Sequence, residues 1–100
     1  MIRQGDVLLR KITKLPEGMK PSQPIDGRLI LAYGETTGHH HSVTANVATL
    51  FEDGNKMVLA VREPTILDHQ EHAQVEIMPG IYWVVRQREY TPQAIRRVLD

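Results

Sequence analysis

The sequence predicts an all-β, mainly antiparallel single domain over residues 1–100, a small barrel or sandwich finished by a short C-terminal helix. Three observations carry that expectation. The chain contains six or seven short apolar or alternating runs. Strong turn signals separate them, among them Gly5-Asp6, Glu52-Asp53-Gly54-Asn55 and Pro79-Gly80. Helical spacing is absent until the last residues, and short strands at regular intervals are the pattern of small barrels and sandwiches.

Taken in order, Gly5-Asp6 turns the chain into Val7-Leu8-Leu9-Arg10-Lys11-Ile12, a short β run. Residues 15–27 hold Pro16, Gly18, Pro21, Pro24 and Gly27, punctuation that predicts a surface connector. Arg28 to Tyr33 reads as a strand buried on both faces. Val43 to Phe51 alternates, which predicts one strand with Val43, Ala45, Val47 and Phe51 on a shared side. Asp53-Gly54 supplies the backbone freedom of a hairpin, and Lys56 to Val61 returns. Glu63-Pro64 interrupts that strand, Thr65-Ile66-Leu67 follows, and in Ala73 to Ile77 the alternation points Val75 and Ile77 inward. Ile81 to Tyr90 is the longest β candidate, with Ile81, Trp83, Val85, Gln87 and Glu89 on one face. Thr91-Pro92 resembles an N-cap and first helical position, so a helical turn is expected over 92–99.

Composition bounds the function. Twelve basic residues balance twelve acidic ones, so broad attraction to nucleic acid or an anionic membrane is not expected. There is no cysteine, which removes disulfides and thiolate metal sites and suits a reducing compartment. The N-terminus lacks the apolar core of a signal peptide, and no apolar run approaches the roughly 20 residues that span a bilayer. A cytoplasmic location is the expectation, and the edges of a small sheet could pair across a two-fold axis into a homo-oligomer.

The histidines carry the chemistry. All five lie in two knots, Gly38-His39-His40-His41-Ser42 and Asp68-His69-Gln70-Glu71-His72. On an extended backbone His39 and His41 point the same way while His40 faces elsewhere. His69 and His72, three apart, can share one side of a single turn. If the knots meet, His39, His41, His69 and His72 surround one point. Neutral imidazoles there suit a divalent transition metal such as zinc, iron or manganese, and nothing indicates an organic cofactor. Glu35 and Glu71 are the carboxylates that would orient the rings or serve as base beside a metal-bound water. Without metal, paired histidines titrating near neutrality could act as acid and base. Arg88, or Arg86, would hold an anionic group.

Each feature has a plainer explanation. Adjacent histidines in a turn can be a solvated loop, the better account of His40. Gln87-Arg88-Glu89-Tyr90 can be a polar strand end, and Ile95-Arg96-Arg97-Val98 a capping helix. His69-Gln70-Glu71-His72 is neither the His-Glu-x-x-His zinc-protease motif nor its inverse, since its histidines stand one residue too close.

The Gly34-x-x-x-x-His39-x-His41 run, with Pro79-Gly80 ahead of a strand, partly resembles the cupins, small β-barrels that hold a metal with three histidines and a glutamate. It departs from them in the Gly34-to-His39 gap, in having Ala45 and Asn46 where the glutamate region would fall, and in lacking a histidine after Pro79-Gly80. The wider pattern, Gly34-Glu35-Thr36-Thr37-Gly38-His39-His40-His41, then His69-Gln70-Glu71-His72, then Gln87-Arg88-Glu89-Tyr90, is similar to a group of small bacterial and phage-type proteins. That group has no assigned activity, so the resemblance transfers no catalytic role.

The expectation is a hydrolase acting on a phosphodiester or another small anionic substrate. His39, His41, His69 and His72 would be metal ligands or the acid and base, Glu71 or Glu35 the supporting carboxylate, and Arg88 the anion clamp. The alternative is a non-enzymatic metal- or ligand-binding protein, such as a phage accessory or assembly factor.

Overall fold

Two hairpins of the same design organise the larger sheet of this computed structural model, which describes residues 1–34 and 38–86. The first joins β1 (Ile2–Gln4) to β2 (Val7–Ile12) through Gly5-Asp6. The next strands in the chain are β3 (Lys20–Pro21), β4 (Arg28–Tyr33) and β5 (His40–Thr44). The second hairpin joins β6 (Ala48–Asp53) to β7 (Lys56–Val61) through Gly54-Asn55. Each turn has glycine at its first central position in the left-handed region, φ 57° at Gly5 and 61° at Gly54. That is the type II′ requirement, and its twist matches that of the flanking strands.

The chain closes with β8 (Thr65–Leu67), β9 (Val75–Ile77) and β10 (Gly80–Arg86). A six-stranded antiparallel sheet runs β1-β2-β10-β7-β6-β3. Hairpins β4–β5 and β8–β9 are joined to each other by the isolated bridge Ser42↔Asp68. One core lies among these parts. The large sheet contributes Val7, Leu9, Ala48, Leu50, Leu59, Val61 and Tyr82, and the hairpins contribute Leu29, Leu31, Ala32, Val43, Leu67 and Ile77. The architecture is all-β and antiparallel, as expected, and no described residue is helical. Accordingly no helix among the described residues is long and apolar enough to cross a membrane.

Four local readings change. Ile2–Gln4 is a strand, because Gly5-Asp6 closes a hairpin rather than merely leading into Val7. The connector over 15–27 contains the two-residue β3, which pairs with Phe51 and Glu52. Its Pro21 sits on the sheet edge, where a missing N–H costs least. The single strand expected over 43–51 is two strands. A turn at 45–47 breaks it, and the buried hydrophobic positions change parity from Val43 to Ala48 and Leu50. The reversal is held by Ala45 N–H donating to Gly27 O at 2.9 Å and Arg62 N–H to Val47 O at 2.8 Å. Finally, β4 is not simply buried on both faces. A bulge between Ile30 and Ala32 sets Leu31 and Ala32 inward in succession. The helix expected over 92–99 and the strand end 87–90 lie outside the described residues.

Leu59 is fully buried at the centre of the larger sheet. Leu59→Ala is expected to lower unfolding free energy by about 2–5 kcal/mol, the range for emptying a leucine site. Urea denaturation would show this as a lower midpoint at unchanged slope.

Candidate metal centre

The two histidine knots are stitched together by backbone. Ser42 N–H donates to Asp68 O at 2.9 Å and Asp68 N–H to Ser42 O at 2.8 Å. The residue before Ser42 is His41 and the residue after Asp68 is His69, so the bridge sets these two side by side. The bulge in β4 tunes the fit. It places Ala32, rather than Leu31, opposite His41. A methyl group there leaves room for an inward imidazole.

The result is a cluster. His41, His69 and His72 each offer a ligand atom, and these atoms lie within 4.8 Å of one another. The ring centroids of His41 and His69 are 4.4 Å apart, those of His69 and His72 4.6 Å, and those of His41 and His72 5.7 Å with nearly parallel planes. Burial is graded: His41 is buried, His69 half-buried and His72 exposed. The centre therefore has a fixed floor and an open side.

Residues that sequence reasoning missed build the floor. Gln4, on β1, is 3% exposed, and its side-chain amide nitrogen donates to Leu67 O and to Ala73 O, both at 2.9 Å. Those carbonyls stand at the two ends of the loop carrying His69 and His72. With both amide hydrogens committed, Gln4 Oε1 faces His41 Nδ1 at 2.9 Å as an acceptor. Nδ1 must then carry the proton, which in a neutral ring leaves the lone pair on Nε2. A ligand histidine is normally held in this way, through its other nitrogen. Asp6 lies on the far side, its Oδ1 3.3 Å from His41 Nε2. Gly5 also touches the cluster: a Cβ built there would fall 2.6 Å from His72 Nε2. The available signals were the two-residue Gly5-Asp6 turn and the unusual burial of Gln4, His41 and Ser42, and only the first is visible in sequence.

The electrostatics favour uncharged rings. The His41 pKa falls from 6.5 to about 4, chiefly because burial penalises the cation, and His69 and His72 add repulsion that Asp6 only partly offsets. His69 is also lowered, by desolvation first and then by His72 and His39. Deprotonated imidazole is the form a metal binds.

His39 lies beside this group rather than in it. Its ring is 5.7 Å from His69, and its Nδ1 is 3.3 Å from Glu71 Oε1. Glu71 is exposed, while its backbone N–H donates to His69 Nδ1 at 3.0 Å. Glu35 and Arg88 lie outside the described residues. The cation that the fold does bring to the site is Arg28. It lines a cavity of about 280 Å³ with His40, Ser42, Asp68, His69 and Gln70, so cavity and cluster share His69. Arg28 Nε donates to Ser42 Oγ at 2.8 Å, and its Nη2 is 3.5 Å from Asp68 Oδ2. His40, expected to be a solvated loop residue, is half-buried in the cavity wall. Its Nδ1 is buried without a hydrogen-bond partner among the described residues.

Residues 3–87 match the family model described as Domain of unknown function (DUF8820), and the chain belongs to that family. No curated protein and no solved structure matches the chain.

Gln4→Leu keeps the side chain's bulk and removes its three hydrogen bonds. A loss of about 2–6 kcal/mol is expected in chemical denaturation, since the two fully buried partners left unpaired, Leu67 O and His41 Nδ1, each cost about 1–3 kcal/mol. The depressed His41 pKa also sets a pH dependence for the metal-free chain. Between about pH 6.5 and pH 4 the unfolded chain binds a proton at His41 that the folded chain does not, so stability falls as pH drops through this window. Urea midpoints measured with chelator present should decline from pH 7 to pH 4, and more gently in a His41→Ala variant.

Proposed function

We propose that this member of the DUF8820 family is a metal-dependent hydrolase. His41, His69 and His72 hold one zinc, iron or manganese ion, and a small anionic substrate such as a phosphodiester enters the adjoining polar cavity. The observation that carries this reading is the convergence of three imidazole nitrogens within 4.8 Å, graded from buried to exposed. With no cysteine in the chain, an all-nitrogen set of this kind suits zinc or iron better than the oxygen-preferring manganese. Three protein ligands leave a position for water or substrate, the arrangement of catalytic rather than closed structural centres.

A divalent ion there supplies Lewis acidity, bringing water within reach of ionisation near neutral pH. The chain's own residues do the rest. Gln4 keeps His41 in the tautomer with Nε2 unprotonated. His39 and Glu71, paired at the exposed rim, can accept and return a proton. Arg28, which lines the cavity, offers donors to substrate oxygens. His69 must give up one bond: an Nδ1 that accepts from Glu71 N–H cannot also serve a metal, and an Nε2 ligand needs the proton on Nδ1.

One observation supports the alternative of a non-enzymatic binding domain. Asp68 stands beside Arg28 and offsets the charge that an anionic substrate would seek.

Metal analysis of the purified chain is expected to find about one equivalent of metal. His41→Ala should abolish it with the β-sheet circular dichroism retained, and turnover of an activated phosphodiester should vanish in parallel. On metal loading the Glu71 amide resonance should shift more than amides of β6 and β7. A wild-type chain that takes up none of the three metals would end the proposal. A loaded chain inert to phosphodiesters and other small anionic esters would leave the binding role.

A further inference from the structure

We propose that Asp68 sets the charge of what the cavity accepts, selecting a monoanion such as a phosphodiester over a dianion such as a phosphomonoester. The inference rests on the reading above that a small anion enters this cavity. It concerns side chains outside the histidine cluster.

Most of the Arg28 guanidinium is already engaged. Nε donates to Ser42 Oγ at 2.8 Å, while Nη2 donates to Ser42 O at 3.2 Å and faces Asp68 Oδ2 at 3.5 Å. Of its nitrogens, Nη1 alone has no hydrogen-bond partner among the described residues, so that atom is the one left for a ligand. Gln70, on the same cavity, is committed through its oxygen. Its Oε1 accepts from His40 N–H at 2.8 Å, which leaves the amide nitrogen as a donor. Arg28 and Gln70 together offer one charged and one neutral nitrogen, which suits the two non-bridging oxygens of a diester.

Asp68 supplies the discrimination. Its carboxylate lines the same cavity and is anchored twice. The backbone is locked in the bridge to Ser42, with bonds of 2.8 and 2.9 Å, and Oδ1 accepts from Gln74 Nε2 at 2.7 Å. A carboxylate held in this way cannot swing aside when an anion arrives. Arg28 can be shared between Asp68 and a monoanion, whereas the second charge of a dianion adds repulsion from a group that does not withdraw. The competing description is that the Arg28–Asp68 pair only fastens the hairpins together, with no bearing on what binds.

Dimethyl phosphate, a monoanion, and methyl phosphate, a dianion at about pH 8, decide between them. Each is titrated into the full chain with chelator present while the Ser42 and Gln70 amide resonances are followed, so the readout needs neither metal nor turnover. The wild-type chain is expected to bind dimethyl phosphate about tenfold more tightly than methyl phosphate. Asp68→Asn keeps an oxygen for Gln74 and removes the charge. It should bring the two affinities within about twofold, mainly by strengthening methyl phosphate. Arg28→Gln should weaken both. A wild-type chain that binds methyl phosphate as tightly as the diester overturns the proposal, whether or not the variants fold. So does a folded Asp68→Asn variant, checked by circular dichroism, that keeps the wild-type preference. If neither anion shifts these amides, the proposal falls together with the anionic-substrate part of the reading above, and metal uptake by the histidines is judged separately. If the preference holds but no metal binds, the hydrolase reading falls and the role of Asp68 stands.

Discussion

Gln4 bonds three segments that are far apart in the chain, and the geometry of the site follows from those bonds. Its amide nitrogen ties Leu67 O to Ala73 O, drawing together the two ends of the loop that carries His69 and His72. Its oxygen receives His41. A carboxamide has two donors on one atom and an acceptor on the other, and here the backbone carbonyls take both donors. The direction of the His41 bond is thereby decided by chemistry elsewhere. An apolar residue at this position could fill the volume but could not choose a tautomer.

That constraint explains the electrostatics. Burial disfavours the charged form of His41, and the neighbouring imidazoles add to that penalty at His41 and at the less buried His69. Folding therefore favours neutral rings at His41 and His69, the protonation state a metal would require, at the cost of stability in mild acid. Asp6 opposes the trend by favouring a positive charge close to His41 and His69.

The sequence made the histidine knots conspicuous, and spacing alone argued that His69 and His72 share a side, as their 4.6 Å ring separation bears out. The all-β class was equally legible, because Asp53-Gly54 and Pro79-Gly80 punctuate runs too short for helices. The rest depended on contacts that no local pattern encodes. Gln4 meets Leu67, 63 positions away, and nothing about a glutamine near an N-terminus announces burial. The bulge at Ile30–Ala32 shifts register by one residue, and alternation read along β4 alone cannot register it. The same blindness merged β5 with β6: Val43, Ala45 and Val47 keep alternation through a turn, since small apolar residues fit both a strand and a reversal. His39 shows the limit from the other side. It precedes β5 rather than belonging to it, and its ring meets His69 and Glu71 beside the cluster rather than joining it.

Preorganisation is uneven across the three clustered histidines, and the unevenness is informative. His41 is locked by Gln4 and by burial. His72 packs on Gly5 but is open to solvent. His69 Nδ1 accepts from Glu71 N–H, a bond that a metal on this ring would have to break. Releasing an exposed amide of this sort costs on the order of 1 kcal/mol, because water replaces the partner. That is small beside the free energy with which structural zinc sites bind, roughly 10–16 kcal/mol. The freed segment, His69 to His72, contains Glu71, whose carboxylate pairs with His39, and Gln70, whose Oε1 accepts from His40 N–H at 2.8 Å. The loop that carries His69 and His72 thus also forms part of the cavity wall, through His69 and Gln70. A site built to sense or use a metal gains from that connection, whereas a purely structural clamp would be expected to keep its ligands free of competing bonds.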